Sequence, residues 1–152
     1  LPEAQLDRFL LQIDVGFPSE ADERDMLVMT MGADDEAPSP LLAPDDLMAA
    51  QALLTQMPVS SDVMDAIVQT VRSLRPEGPD AALDWGPGPR AGQALIAASR
   101  ARAFLAGRSA PLLDDVAALL PPTLRHRMAL GYRARAEGQT IAAIIEAAAA
   151  RL

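Results

Sequence analysis

One arginine sits where a guanidinium could meet a phosphate, and a second stands at a helix end. Arg90 follows Trp85-Gly86-Pro87-Gly88-Pro89 and falls in the first turn of a helix that Pro89 begins, so its side chain and the nearby backbone donors can face one anion. Arg8 closes the run Leu1-Pro2-Glu3-Ala4-Gln5-Leu6-Asp7-Arg8-Phe9, at the expected end of a short helix. From residue types alone each keeps a plainer reading, a surface ion pair for Arg8 and a capping or ion-pair role for Arg90. The chemistry open to Arg90 is the binding of a phosphate-like anion.

Other chemistry is scarce. The chain has no cysteine, one histidine (His126) and no lysine, all thirteen of its basic residues being arginine. That removes thiolate metal sites, disulfides, a lysine nucleophile and the phosphate-binding lysine of a Walker A loop. No Ser-His-Asp or Cys-His set can be assembled. Asp34-Asp35-Glu36 could chelate a divalent ion, but a proline-rich acidic stretch without calcium-loop spacing reads as a solvated loop. Asp45-Asp46 and Asp114-Asp115 stand where helix dipoles favour acids and read as structural. His126 reads as a helix-end histidine, and the expected metal set is none.

These residues need a scaffold, and composition points to packed helices. Half of the 152 residues are apolar, alanine and leucine dominate, and only five are aromatic. The expected fold class is mainly α, of about one domain. The net charge of −8 is unevenly placed: residues 1–46 hold twelve acids and two arginines, the rest nine acids and eleven arginines. Nucleic-acid binding by the whole chain is disfavoured at this balance, although arginines between 100 and 135 offer a local basic face. No apolar run is long enough to span a membrane and no leader is visible, so a cytoplasmic location is expected.

The helical pattern is punctuated by prolines and glycines. Leu1–Arg8 suits a helix end, and Phe9–Val15 alternates like a short strand with no partner of its own. Ser19 caps a helix expected to stop at Gly32, followed by a mobile acidic, proline-rich loop over 32–44. Pro44 starts a helix to about Gln56, and Ser60 or Ser61 caps another that ends before Pro76. Residues 76–88 read as a loop, Pro89 to about Ala106 as a helix with Gly107 at C′, and Asp114-Asp115 as the start of a short helix ending at Pro121-Pro122. Met128–Tyr132 is expected to be extended, and Thr140 to cap a last alanine-rich helix. The methionines, at helical spacing, are expected in the core.

The opening nonapeptide resembles the arginine-finger segment of the MoxR branch of AAA+ ATPases, with Arg8 at the finger position. Trp85-Gly86-Pro87-Gly88-Pro89-Arg90-Ala91 is similar to the Gly-x-Ser-Pro-Arg-Ala stretch that opens that family's sensor 2 helix, with Arg90 as its arginine and Gly88 where serine is usual. Gly107-Arg108, Asp114-Asp115-Val116, Leu124-Arg125-His126-Arg127-Met128 and Ala136-Glu137-Gly138-Gln139-Thr140 continue the likeness in family order. Leu112-Leu113 stand where Thr-Pro is common, so that helix is expected to lose its usual cap.

The resemblance implies a helical lid bundle at 18–152, preceded by a helix-strand remnant of the α/β ATPase core at 1–17. It implies a longer parent protein whose Walker A loop, Walker B acids and sensor 1 lie upstream. The parent would be an ATPase that remodels or matures partner proteins, working as a homo-oligomeric ring, expected as a hexamer although no residue sets the ring size. Arg8 would act in trans on a neighbour's γ-phosphate, and Arg90 would contact nucleotide phosphate in cis or in trans. ATP and Mg would belong to the full-length protein and none would be bound to this chain, which should be inactive alone. Partners with von Willebrand factor A domains are implied by the family. A free-standing helical interaction module and the lid of a nucleic-acid-handling AAA+ relative are the alternatives.

Overall fold

A computed structural model describes residues 3–31, 39–77 and 81–152, with only the backbone of Glu3 and Ala4. Its order is α1 (Glu3–Leu6), α2 (Glu20–Thr30), α3 (Pro44–Gln56), α4 (Ser61–Ser73), β1 (Leu83–Trp85), α5 (Pro89–Leu105), α6 (Leu113–Leu124), a 3-10 turn (Arg125–Arg127), β2 (Ala129–Leu130), α7 (Tyr132–Ala136) and α8 (Ile141–Ala149). The fold is the mainly helical one expected from composition, with one small sheet.

The core belongs to α4, α5, α6 and α8. Val63, Ile67, Val71 and Leu74 of the α4 face meet Ala91 and Leu95 of α5, Val116, Leu120 and Leu124 of α6, and Ile145 and Ala148 of α8. Their spacing of three and four puts each set on one stripe, and burying each large side chain contributes about 1.5–3 kcal/mol. Small residues on α5 (Ala91, Ala94, Ala98, Ser99, Ala103) are all buried, which lets neighbouring helices approach closely. By contrast α2 and α3 bury no residue, and Met26, Met29, Met31 and Met48 are exposed. The expectation of methionines in the core therefore holds for Met57 and Met128 but not for these four or for Met64 of α4, which is also exposed; α3 touches α5 only along one side, half-burying Leu54.

The caps behave as their chemistry predicts. Ser19 forms a capping box with Asp22, Ser60 Oγ accepts from Val63 N–H, and Thr140 Oγ1 accepts from Ala143 N–H. Gly107 has a φ of 71°, and Arg108 N–H bonds to Ala103 C=O while Gly107 N–H bonds to Phe104 C=O, the two bonds of a Schellman turn. Gly32 and Asp34-Asp35-Glu36 lie outside the described residues.

Four expectations need correction. The segment 76–88 is not all loop: Leu83–Trp85 pairs antiparallel with Ala129–Leu130, Leu83 opposite Leu130 and Trp85 opposite Ala129. Within 128–132 only Ala129 and Leu130 form strand, and Tyr132 already starts α7. Nor does α6 end at Pro121-Pro122. It runs on to Leu124, its last turn anchored by Leu120, Thr123 and Leu124, all fully buried in the core; the Pro121 carbonyl accepts from Arg125 Nε at 3.1 Å and the Pro122 carbonyl from Gln12 N–H at 2.8 Å. Phe9–Val15 takes no ladder partner among the described residues and is not a strand here.

Candidate functional site

Arg90 is the second residue of α5, after Pro89 at the first helical position and Gly88 at the N-cap. Gly86 sets where this helix can begin. A Cβ there would lie 2.4 Å from the Leu74 carbonyl oxygen and 3.1 Å from Arg75 Cα, so only glycine lets the approach to α5 lie against the end of α4. Pro87 is buried beside it, and its carbonyl accepts from Arg75 Nε at 3.4 Å. Gly88, with nothing within 4 Å of its would-be Cβ, has room for the serine its position usually carries.

Arg8 follows α1 in a turn closed by Arg8 N–H to Gln5 C=O and Phe9 N–H to Leu6 C=O, each 3.1 Å. Its side chain is exposed and has no ion-pair partner among the described residues. The preceding residue, Asp7, joins the two candidate arginines: its Oδ2 lies 3.6 Å from Arg90 Nη1, and its Oδ1 accepts from Arg127 Nε at 3.1 Å. Arg90, 56% exposed, thus stands beside the segment that carries Arg8 in the same subunit.

Arg127 is 2% exposed and spends all five N–H groups. Besides Asp7 Oδ1, they reach the carbonyls of Asp7 (3.1 Å), Phe9 (2.6 Å), Leu10 (3.3 Å) and Thr123. The Phe9 carbonyl also lies 3.1 Å from His126 Nε2. A carbonyl only accepts, so Nε2 carries the proton and Nδ1, buried, has no partner among the described residues. Burial holds the His126 pKa below its ordinary value, with the Phe9 carbonyl pulling weakly the other way. Arg125 pairs with Asp14, whose pKa is lowered first by the Gln12 amide and then by Arg125. The Arg-His-Arg turn is therefore the dock for residues 7–14.

A second ionic cluster is structural. Asp115, 1% exposed, receives both terminal nitrogens of Arg108 at 2.6 Å, Leu112 N–H at 2.8 Å and, at 3.3 Å, Arg102 Nε. Its pKa is held low, chiefly by Arg108. The Asp115 carboxylate also restores part of the cap that Leu112 cannot supply to α6. Asp46 does the same for α3, accepting from Ala43 N–H.

The sequence singled out Arg8 and Arg90, and Asp7 brings them to one edge. It missed Asp7 and Arg127, since nothing in an Arg-His-Arg run says which arginine turns inward. The basic face expected between 100 and 135 is largely occupied: Arg102, Arg108, Arg125, Arg127 and Arg133 all pair with carboxylates. Among the described residues no three acids or histidines gather to hold a metal, and no helix is long and apolar enough to cross a membrane.

Comparison with known proteins adds independent footing. Residues 79–148 match the AAA lid domain family. The chain is 37% identical over 143 residues to the chaperone MoxR1 of Mycobacterium tuberculosis, covering 90% of this chain and 38% of that protein. It is 36% identical over 146 residues to the uncharacterized protein YeaC of Bacillus subtilis, covering 95% and 45%, and 32% identical over 171 residues to the protein MoxR of Paracoccus denitrificans, covering 100% and 50%. It superposes on all of its length with 48% of a candidate ATPase from Cytophaga hutchinsonii, with a TM-score of 0.88 and 24% identity, a likeness of fold. The chain spans half or less of the length of these curated relatives.

Proposed function

Because the chain belongs to the MoxR-type AAA+ proteins and carries their lid domain, we propose that it supplies one edge of an ATP-hydrolysing site completed by a neighbouring subunit. Arg8 is the arginine finger of that edge and Arg90 its sensor 2 residue. The observation that carries this reading is the Arg90–Asp7–Arg127 arrangement, which puts Arg90 beside the segment that presents Arg8. If Arg8 reaches a neighbour's nucleotide, Arg90 stands on the same side of the boundary and acts in trans with it.

Bound ATP supplies the phosphoryl group. Arg8, exposed and without an ion-pair partner among the described residues, has its full charge available for the oxygens of that group as negative charge builds there. Arg90 adds a second cation at a helix N-terminus whose backbone dipole favours an anion. In this reading the accompanying Mg ion would be held by the Walker motifs of the complete protein. Turnover would drive chaperone-like remodelling of partner proteins by a homo-oligomeric ring, with von Willebrand factor A domain proteins as the expected partner class.

In the complete protein, Arg8→Ala is expected to leave folding and nucleotide binding intact while lowering turnover by about a hundredfold or more. Steady-state phosphate release from assembled rings checks this. Wild-type turnover would remove the finger assignment.

A further inference from the structure

A finger works only if the backbone that carries it is held still. Arg8 follows a four-residue helix and precedes a segment with no ladder partner, so neither flank is stiffened by regular structure. What holds the place instead is a side chain 119 positions further on. The Arg127 guanidinium bonds the carbonyls of Asp7 and Phe9, on either side of Arg8, and also the Asp7 carboxylate and the Leu10 carbonyl. His126 adds a bond to the Phe9 carbonyl, and Gln12 N–H bonds to Pro122. Arg127 itself is fixed from behind by the Thr123 carbonyl in the last turn of α6.

We infer that Arg127 is the positioning residue of the finger: it clamps residues 7–10 to the lid and thereby sets where Arg8 projects. The inference rests on the proposed role of Arg8. Arg127 faces inward at 2% exposure with all five N–H groups taken by protein acceptors, so it acts through Arg8 and not on substrate. Lysine cannot replace it, because an ammonium has three donors on a point charge and no planar fork to span carbonyls on both sides of one residue.

The test compares Arg127→Lys with Arg8→Ala in the complete protein. Arg127→Lys is expected to lower kcat by about tenfold with KM for ATP unchanged, the signature of a misplaced transition-state group. In the nucleotide-free protein, the amides of Phe9 and Gln12 should exchange with deuterium about tenfold faster, while those of α4 and α5 keep wild-type protection. Mixing either variant with hydrolysis-dead subunits that retain Arg8 and Arg127 should restore activity, because intact neighbours then supply the finger. Wild-type turnover in Arg8→Ala would overturn the finger reading itself. Loss in Arg8→Ala with wild-type kcat and protection in Arg127→Lys would overturn the clamp alone. So would an Arg127→Lys defect that mixing fails to rescue while it rescues Arg8→Ala, since that pattern marks a damaged lid.

Discussion

Among the described residues Asp115 and Arg127 are the two charged side chains buried almost completely, and each is tolerable only because its partners are complete. Asp115→Ala leaves Arg108 and Arg102 without their carboxylate and Leu112 N–H without an acceptor; both guanidinium groups keep access to water, so the expected loss in urea unfolding is about 1.5–3 kcal/mol. The same group sets an acid limit. Its folded pKa lies below the ordinary carboxylate value of 3.8, so the unfolded chain binds the proton more readily. The contribution is full above that value and is lost as the pH falls through the depressed one, and the Asp115→Ala variant should lose this part of the acid dependence. An unchanged urea midpoint and acid profile would show that the cluster is neutral for stability. At this scale the sequence was readable where a residue sits in a local pattern: Arg8 and Arg90 could be singled out, and Ser19, Ser60 and Thr140 could be named as caps. It was unreadable where a side chain's meaning depends on a contact over a hundred positions away, as between Asp7 and Arg127.

Punctuation made most elements legible. Pro44 and Gln56 bound α3 as expected, and Pro89 and Gly107 bracket α5, because proline at the first turn and glycine at C′ act through local sterics alone. The misreadings share one cause, which is tertiary rescue of a local rule. Pro121-Pro122 should stop a helix, but Thr123 and Leu124, fully buried in the core, hold one further turn. Leu83–Trp85 lies in a proline- and glycine-rich stretch, yet β2 offers it a ladder. Two glycines in the approach to α5 then make opposite predictions. Gly86→Ala would drive a Cβ into Leu74 and should lower stability by about 1–3 kcal/mol, whereas Gly88→Ser meets open space and should change it by a few tenths, about 0.3 kcal/mol, in the favourable direction. Thermal unfolding of the pair decides it: equal losses would mean that the close approach of α4 and α5 is not what Gly86 serves.

The described residues form a helical bundle of α4, α5, α6 and α8, a strap of residues 7–14 tied across it, and two helices, α2 and α3, that the bundle does not bury. Composition and period announced the bundle, but not the strap, whose ties are long-range ion pairs and carbonyl bonds. Without any lysine the chain holds no Walker A loop of its own, and the 152 residues alone should release no phosphate from ATP above background in a coupled assay. Measurable turnover by the purified chain would require a different active site. The strap also bears on timing. Arg127 fastens residues 7–10 to the same helix end that packs the core, so if Arg8 is the finger proposed above, lid and finger turn as one body. In a ring built as proposed, a lid that tilts when its own subunit changes nucleotide carries its arginine toward or away from the next subunit's site. Successive sites would then fire in order around the ring, as escapement teeth release one at a time, with the stroke of each set by the stiffness of the strap.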